Sequence, residues 1–236
     1  MLGLTARQIQ ILKLIVEEFI QTAEPVGSES LDKKYNLGVS PATIRNEMVY
    51  LTKHGYLTKS HSSAGRLPTS LALKLYVNEL MKEKELSVAD EVSVKERVWE
   101  ARNDPEALIA ALTKILAERS RALGIIMDDE HRLYHSGYAN LLEMPEFYDI
   151  RVMRDVLNLI EEEKSLDEIF KYGATENQVR VIYGQELGNK NLEPIGMIYT
   201  DVQTGQGSFH LAVLGSSRFD YPYVVPMMRY FKKLIE

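Results

Sequence analysis

The stretch Ser40–Lys53, closed off by Gly55, constrains this chain more than any other. Ser40 is a good helix N-cap, because its hydroxyl can satisfy a free amide of the first turn. Pro41 suits the first helical position, where a missing N–H does no harm. Gly55, just beyond Lys53 and His54, supplies the stop. Between these signals Ile44, Met48 and Leu51 recur at i, i+4 and i+7, so the spacing predicts a helix with one apolar stripe to bury.

Rotation about that helix sets Ala42, Asn46, Val49 and Lys53 opposite the stripe, flanked by Thr43, Arg45 and Tyr50, with Glu47 toward the edge. Arg and Asn can make paired hydrogen bonds to guanine and adenine edges, while Ala, Val and the Thr methyl can touch thymine methyls. A mixed polar face taken alone is ordinarily just solvated. Its neighbours change the reading. Upstream, Thr5 and Gln8 form a T-x-x-Q capping box opening a helix to about Thr22, with Ile9, Leu12, Val16 and Phe19 on its buried side. Ser28 can cap a short helix through Lys34, and residues 35–39 make a tight turn before Ser40. Three helices with a short turn before the third make a helix-turn-helix, whose last helix enters the major groove.

Downstream, residues 56–59 read as a short strand and 66–68 as its return, around the small polar loop 60–65. A loop of this kind alone is usually just a hairpin. Directly after a capped recognition helix it reads as a wing. The residues expected to contact DNA are Ser40, Ala42, Thr43, Arg45, Asn46, Val49 and Lys53 on the helix, with Lys59, His61, Ser62, Ser63 and Arg66 on the wing. Arg66 is expected to reach a phosphate or an adjacent minor groove.

These residues carry a specific resemblance. Residues 24–28 (EPVGS), 40–48 (SPATIRNEM), 55–57 (GYL) and 63–69 (SAGRLPT) resemble the DNA-binding domain of the HrcA family, the heat-inducible transcription repressors of bacteria. Residues 137–142 (GYANLL) with 145–147 (PEF), and 215–221 (GSSRFDY), are similar to later family stretches, in the right order. The resemblance implies a repressor that binds an inverted-repeat operator of chaperone genes as a homodimer. It also implies a possible chaperonin partner and a GAF-like fold for the second domain. Full-length members carry a dimerising domain inserted into that fold. Here residues 126–132 run almost directly from a strand toward the GYANLL motif, leaving no room for it. Two further departures are the less acidic run of residues 49–54 after the NEM motif and the apolar pattern of residues 71–75.

Charge agrees with the expected polarity. Residues 1–78 hold nine Lys+Arg against six Asp+Glu, and the remainder 19 against 28. A mildly basic head on an acidic body turns the head toward DNA and discourages indiscriminate binding elsewhere. At 236 residues the chain is long enough for two domains. The reading is a multidomain α+β protein: a winged helix-turn-helix over 1–78, a helical connector over 79–103, and a GAF-like antiparallel-sheet domain with helices over 104–236. In the connector, Val92, Lys95 and Trp99 hint at a sparse buried side, and the segment could equally serve as an arm against a second subunit. Strands are expected at 123–127, 132–136, 179–183, 195–200 and 208–214, with helices from Pro105, over 150–163 and over 222–235.

A search for chemistry in the second domain finds little. His131, His135 and His210 lack metal-ligand spacing, and Glu161–Glu163 read as a solvated run. Gly205-Gln206-Gly207 lies between strands, where a hairpin turn explains it better than a phosphate loop. Without a nucleophile elbow or Walker motif, the chain is expected to be no enzyme and to need no cofactor or metal. Zero cysteines excludes disulfides and thiolate metal sites. The absence of a signal pattern or long apolar run predicts a cytoplasmic protein with no membrane partner. The competing expectation is a ligand-gated regulator whose GAF-like domain senses a small metabolite.

Overall fold

The computed structural model describes residues 3–59, 65–171, 179–204 and 207–236. Two compact units emerge, Met1–Lys82 and Glu83–Glu236.

The first unit opens on the capping box. Gln8 Oε1 accepts from the Thr5 amide at 2.9 Å, and Thr5 Oγ1 accepts from the Gln8 amide at 3.3 Å. Helix α1 (Ala6–Thr22) buries Gln8, Ile11, Leu12, Ile15 and Val16, so the expected Ile9 and Phe19 sit on the margins of its stripe. Helix α2 (Ser28–Tyr35) is capped one residue earlier than expected. Gly27 is the N-cap, Ser28 is a buried helical residue, and Ser30 Oγ accepts from the Gly27 amide at 3.2 Å. Helix α3 (Pro41–Lys53) buries Ile44, Met48 and Leu51, the stripe read from spacing.

Strands β1 (Leu57–Lys59) and β2 (Arg66–Pro68) pair antiparallel, with Lys59 opposite Arg66. Val26 adds a one-residue bridge to this hairpin, exchanging two backbone hydrogen bonds of 2.9 Å with Arg66. Gly65 makes this closure possible, since a Cβ there would lie 2.4 Å from Pro25 Cβ. The EPVGS and GRLP stretches, distant in sequence, are thus interlocked through backbone. Thr69 caps α4 (Ser70–Leu75). The helix then widens into a π-helical turn over Tyr76–Leu80, closed by a bond from the Met81 amide to the Tyr76 carbonyl at 2.8 Å.

The second unit runs α5 (Val88–Ala101), α6 (Pro105–Ser120), β3 (Leu123–Asp128), β4 (Leu133–Ser136) and α7 (Tyr138–Leu142). A 3-10 turn (Pro145–Tyr148) follows, then α8 (Ile150–Glu161), α9 (Glu163–Lys171), β5 (Arg180–Tyr183), β6 (Ile195–Thr204), β7 (Gly207–Ser216) and α10 (Tyr221–Ile235). The strands form one antiparallel sheet in the order β4-β3-β7-β6-β5. Alternation divides its side chains between two apolar layers. Leu123, Ile125 and Met127 share one face with Ala212, Leu214, Met197 and Tyr199, packed with Val152, Val156, Leu166 and Phe170 of α8 and α9. On the other face α6 approaches β3 closely. A Cβ on Gly124 would stand 2.5 Å from the Thr113 carbonyl oxygen, so glycine is what lets helix and sheet touch there. Mixed helices and antiparallel sheet are the α+β class expected from the pattern.

Three details differ from the expected elements. The helix expected over 150–163 breaks at Glu162 into α8 and α9. Strands β6 and β7 extend to Thr204 and from Gly207, because each continues the other's ladder. In α5 the buried side is Val94 and Val98, packed toward α6, whereas Val92 and Trp99 are 47% and 62% exposed. Ion pairs from Arg97 to Glu118 and from Arg119 to Asp90 hold α5 in that rotation.

Candidate nucleic-acid interface

Helix α3 presents Ala42, Arg45, Asn46, Val49 and Lys53 to solvent, all five exposed. Among the described residues, Arg45 and Asn46 make no side-chain hydrogen bond or ion pair within the chain, and their donor groups are unspent. Glu47, the one acid near that face, turns the other way. It accepts from Gln8 Nε2 at 2.9 Å and lies 3.7 Å from Arg7 Nη1, which removes its charge from the outward surface. Ser40 and Thr43 are engaged at the helix start. Ser40 Oγ accepts from the Thr43 amide at 3.2 Å, and their hydroxyls lie 3.0 Å apart. Their first duty is therefore to cap the helix.

Helix α3 is held from both sides. Glu18 of α1 accepts from Lys34 Nζ at 2.6 Å and Tyr35 Oη at 2.8 Å, clamping α2 to α1 ahead of the turn into α3. The Lys34 hydrogen bond, opposed by burial and helped by Tyr35, keeps the Glu18 carboxyl below its ordinary value. On the hairpin side, Arg66 is half-buried and donates from Nε to Thr52 Oγ1 of α3 at 3.3 Å and from Nη1 to the Gly65 carbonyl at 3.1 Å. Arg66 thus braces the hairpin against α3, a role that spacing did not reveal. Lys59 is exposed across the ladder from it. His61, Ser62 and Ser63 lie outside the described residues.

At the C-terminal end of α3, Tyr50 and His54 stack with ring centroids 3.9 Å apart, and His54 Nδ1 lies 2.8 Å from the Tyr50 carbonyl oxygen. Neither ring was expected in the site as a pair, although their i, i+4 spacing was a usable signal.

The two later motifs meet in the second unit. Arg218 donates from Nε to Glu146 Oε1 at 2.6 Å and from Nη2 to Oε2 at 3.1 Å, and Ser216 Oγ donates to Oε1 at 2.9 Å. Burial pushes the Glu146 carboxyl up, but the bonds from Arg218, the backbone and Ser216 outweigh it and hold the carboxyl below its ordinary value. Arg218 thus ties the loop before the last helix to Glu146. Asp220 of the same motif is paired with Lys84 at 2.8 Å.

The histidines are dispersed. His131 pairs with Asp167 at 3.3 Å, His210 with Asp201 at 2.7 Å, and His135 meets the edge of Tyr138. Among the described residues no group of three or more His, Cys, Asp or Glu is placed to hold a metal ion. Gly205 and Gln206 lie outside the described residues. Among those residues, too, no helix is long and apolar enough to cross a membrane.

The first unit thus combines a capped helix whose Arg45 and Asn46 donors are unspent with a hairpin that braces it, and an antiparallel-sheet unit follows in the chain. Residues 63–225 match the family described as HrcA protein C terminal domain. The chain belongs to the HrcA family. Curated relatives carry the name heat-inducible transcription repressor HrcA, and the family is one of repressors rather than enzymes. One from Symbiobacterium thermophilum is 23% identical, spanning 94% of this chain and 95% of its own. One from Geobacter sulfurreducens is 24% identical, spanning 100% and 98%. One from Clostridium tetani is 43% identical over 122 residues, which are 51% of this chain and 35% of its own. The S. thermophilum alignment runs over 323 positions against 236 residues here, so this chain is a short form whose relatives carry additional sequence within the aligned span. A crystal structure described as a hypothetical protein shares the fold at 18% identity, with a TM-score of 0.77, covering 99% of this chain and 97% of its own.

Proposed function

We propose that this protein is a sequence-specific DNA-binding repressor of heat-shock genes, acting from the cytoplasm as a homodimer on an inverted-repeat operator. On this reading the first unit is a winged helix-turn-helix, with α3 as recognition helix and the β1–β2 hairpin as wing. The second unit is a GAF-like body. The observation that carries the reading is the outward face of α3, where Arg45 and Asn46 lie exposed and uncommitted beside Val49 and Lys53. These side chains suit guanine, adenine and thymine edges in the major groove. Phosphate contacts from Lys53, Lys59 and the capped start of α3 would set the register. Membership of a family of heat-inducible repressors supports the choice of genes.

Dimerisation follows from what one head can do. A single helix reads too few base pairs to select a site in a genome, and two heads related by a two-fold axis require an inverted repeat. The outward row Val88, Val92 and Trp99 of α5, exposed in the single chain, is the proposed contact between subunits. Heat or the loss of a chaperonin partner would release the operator. Footprinting of the purified chain on DNA upstream of chaperone genes tests the whole reading. Protection of an inverted repeat with half-sites on one face of the helix is expected, and uniform coverage of any duplex would overturn it.

A further inference from the structure

The second unit contains a cavity of about 370 Å³ that the repressor reading does not use. It lies on the sheet face that also carries α6. Its floor is Ile126, Leu211 and Val202, and Ile109 and Leu112 wall it from α6, all five buried. The second half of α6 touches β3 at Gly124, and Pro105, Leu108, Ile109 and Leu112 of its first half line the cavity.

Only one charged side chain is among the described residues that line it, Arg102 at the mouth. Arg102 has no carboxylate partner among the described residues. Its guanidinium carbon lies over the Trp99 ring, 3.8 Å from the centroid, and it donates to the Trp99 carbonyl through Nη1. These two contacts hold the head group and leave its other N–H groups for an acceptor. The nearby amides of the first turn of α6 are unavailable for that task, since Asp104 Oδ1 already accepts from Glu106 and Ala107 at 3.0 and 3.3 Å. A space lined this way does not favour water, which needs several polar partners. Its size and lining, apolar walls with Arg102 and Thr204 as the polar side chains, match small-molecule sites in general.

We infer that this cavity is a binding site for a small amphiphilic carboxylate, with an apolar body lying against Val202, Leu211 and Leu112 and its acid group on Arg102. The inference does not depend on the operator reading, since every lining residue belongs to the second unit.

The test uses the full chain and its own reporter, because Trp99 is the only tryptophan and stacks on the proposed anchor. Decanoate and 4-butylbenzoate are titrated separately while Trp99 fluorescence is followed, with decylamine as the cationic counterpart and light scattering at each point, which tells filling of the cavity from a change of subunit assembly at Trp99. A saturable change with an acid, below the concentration at which it forms micelles, is the expected result. The stronger arm identifies an aliphatic or an aromatic body. Arg102→Gln should weaken the acid about tenfold or more, as loss of a charge-assisted hydrogen bond does. Leu108→Phe, which narrows the mouth, should weaken it with Arg102 intact. Absence of a saturable response to either acid overturns the inference. So does an equal response to decylamine, or unchanged affinity in Arg102→Gln.

Discussion

Arg218 and Glu146 lie 72 residues apart in sequence and are joined by two hydrogen bonds, one to each carboxylate oxygen. The pair ties the loop ahead of α10 to the 3-10 turn after α7, and both side chains are largely buried. Removing one partner leaves the other charge without compensation. Arg218→Ala should therefore lower the stability of the second unit by roughly 3 kcal/mol, while Glu146→Gln, which keeps two acceptor or donor positions, should cost less. Denaturant unfolding followed by circular dichroism measures both.

The same pair sets an acid limit. Because the bonds from Arg218, the backbone and Ser216 hold the Glu146 carboxyl below its ordinary value in the folded chain, its contribution is fully present above that ordinary value. It is lost as pH falls through the folded pKa. Glu18, depressed by Lys34, adds to the trend in the first unit. Stability measured between pH 6 and pH 3, on the order of the range where carboxylates titrate, should fall toward acid. Glu146→Gln should flatten the fall, and an unchanged slope would remove this pair as its source.

On DNA, Arg45→Ala should cost about 1–3 kcal/mol at the operator and much less on random duplex. Gel-shift titrations on both substrates separate the cases. Equal losses would mean that Arg45 holds phosphate only.

Arg66 should behave differently from Lys59. Lys59→Ala removes the proposed phosphate contact, so it should weaken specific and random DNA alike and make the salt slope shallower by about one ion. Arg66→Ala also frees Thr52 and the hairpin, and should lower the melting temperature of the chain as well as its affinity. A melting temperature equal to that of the parent would contradict the bracing geometry.

Self-association can be read by light scattering. Val88→Glu with Val92→Glu places charges on the exposed row of α5 and should convert a dimer to monomers without loss of helical signal. A dimer that survives both changes would move the interface elsewhere.

Much of this architecture is legible in local chemistry. The Thr5–Gln8 box, the Ser40-Pro41 start and the Asp104-Pro105 start each declare a helix within a few residues, and the outward face of α3 follows from the stripe that it buries. What escapes is decided by contacts across long separations. In α5, Val92–Trp99 and Val94–Val98 form two overlapping apolar rows, and only the presence of α6 chooses the second. Arg66 shows the same limit. Its side chain reads as free until Thr52, fourteen positions away, accepts a hydrogen bond from its Nε. Ser28 lost the capping role to Gly27 because a buried position beside Leu31 was the stronger demand.

The connection between β3 and β4 is complete in itself. Asp128 accepts from the amides of Glu130 and Arg132 at 3.0 and 2.9 Å and from Arg132 Nε at 2.7 Å, so its four-residue link is stitched by a single carboxylate. The two strand ends also stand side by side through the ladder itself, in which Met127 faces Leu133. A position of that kind is a natural socket. A fluorescent or affinity module with neighbouring termini, grafted between Asp129 and His131, would be carried on the rim of the sheet while the ladder of β3 with β7 stays intact.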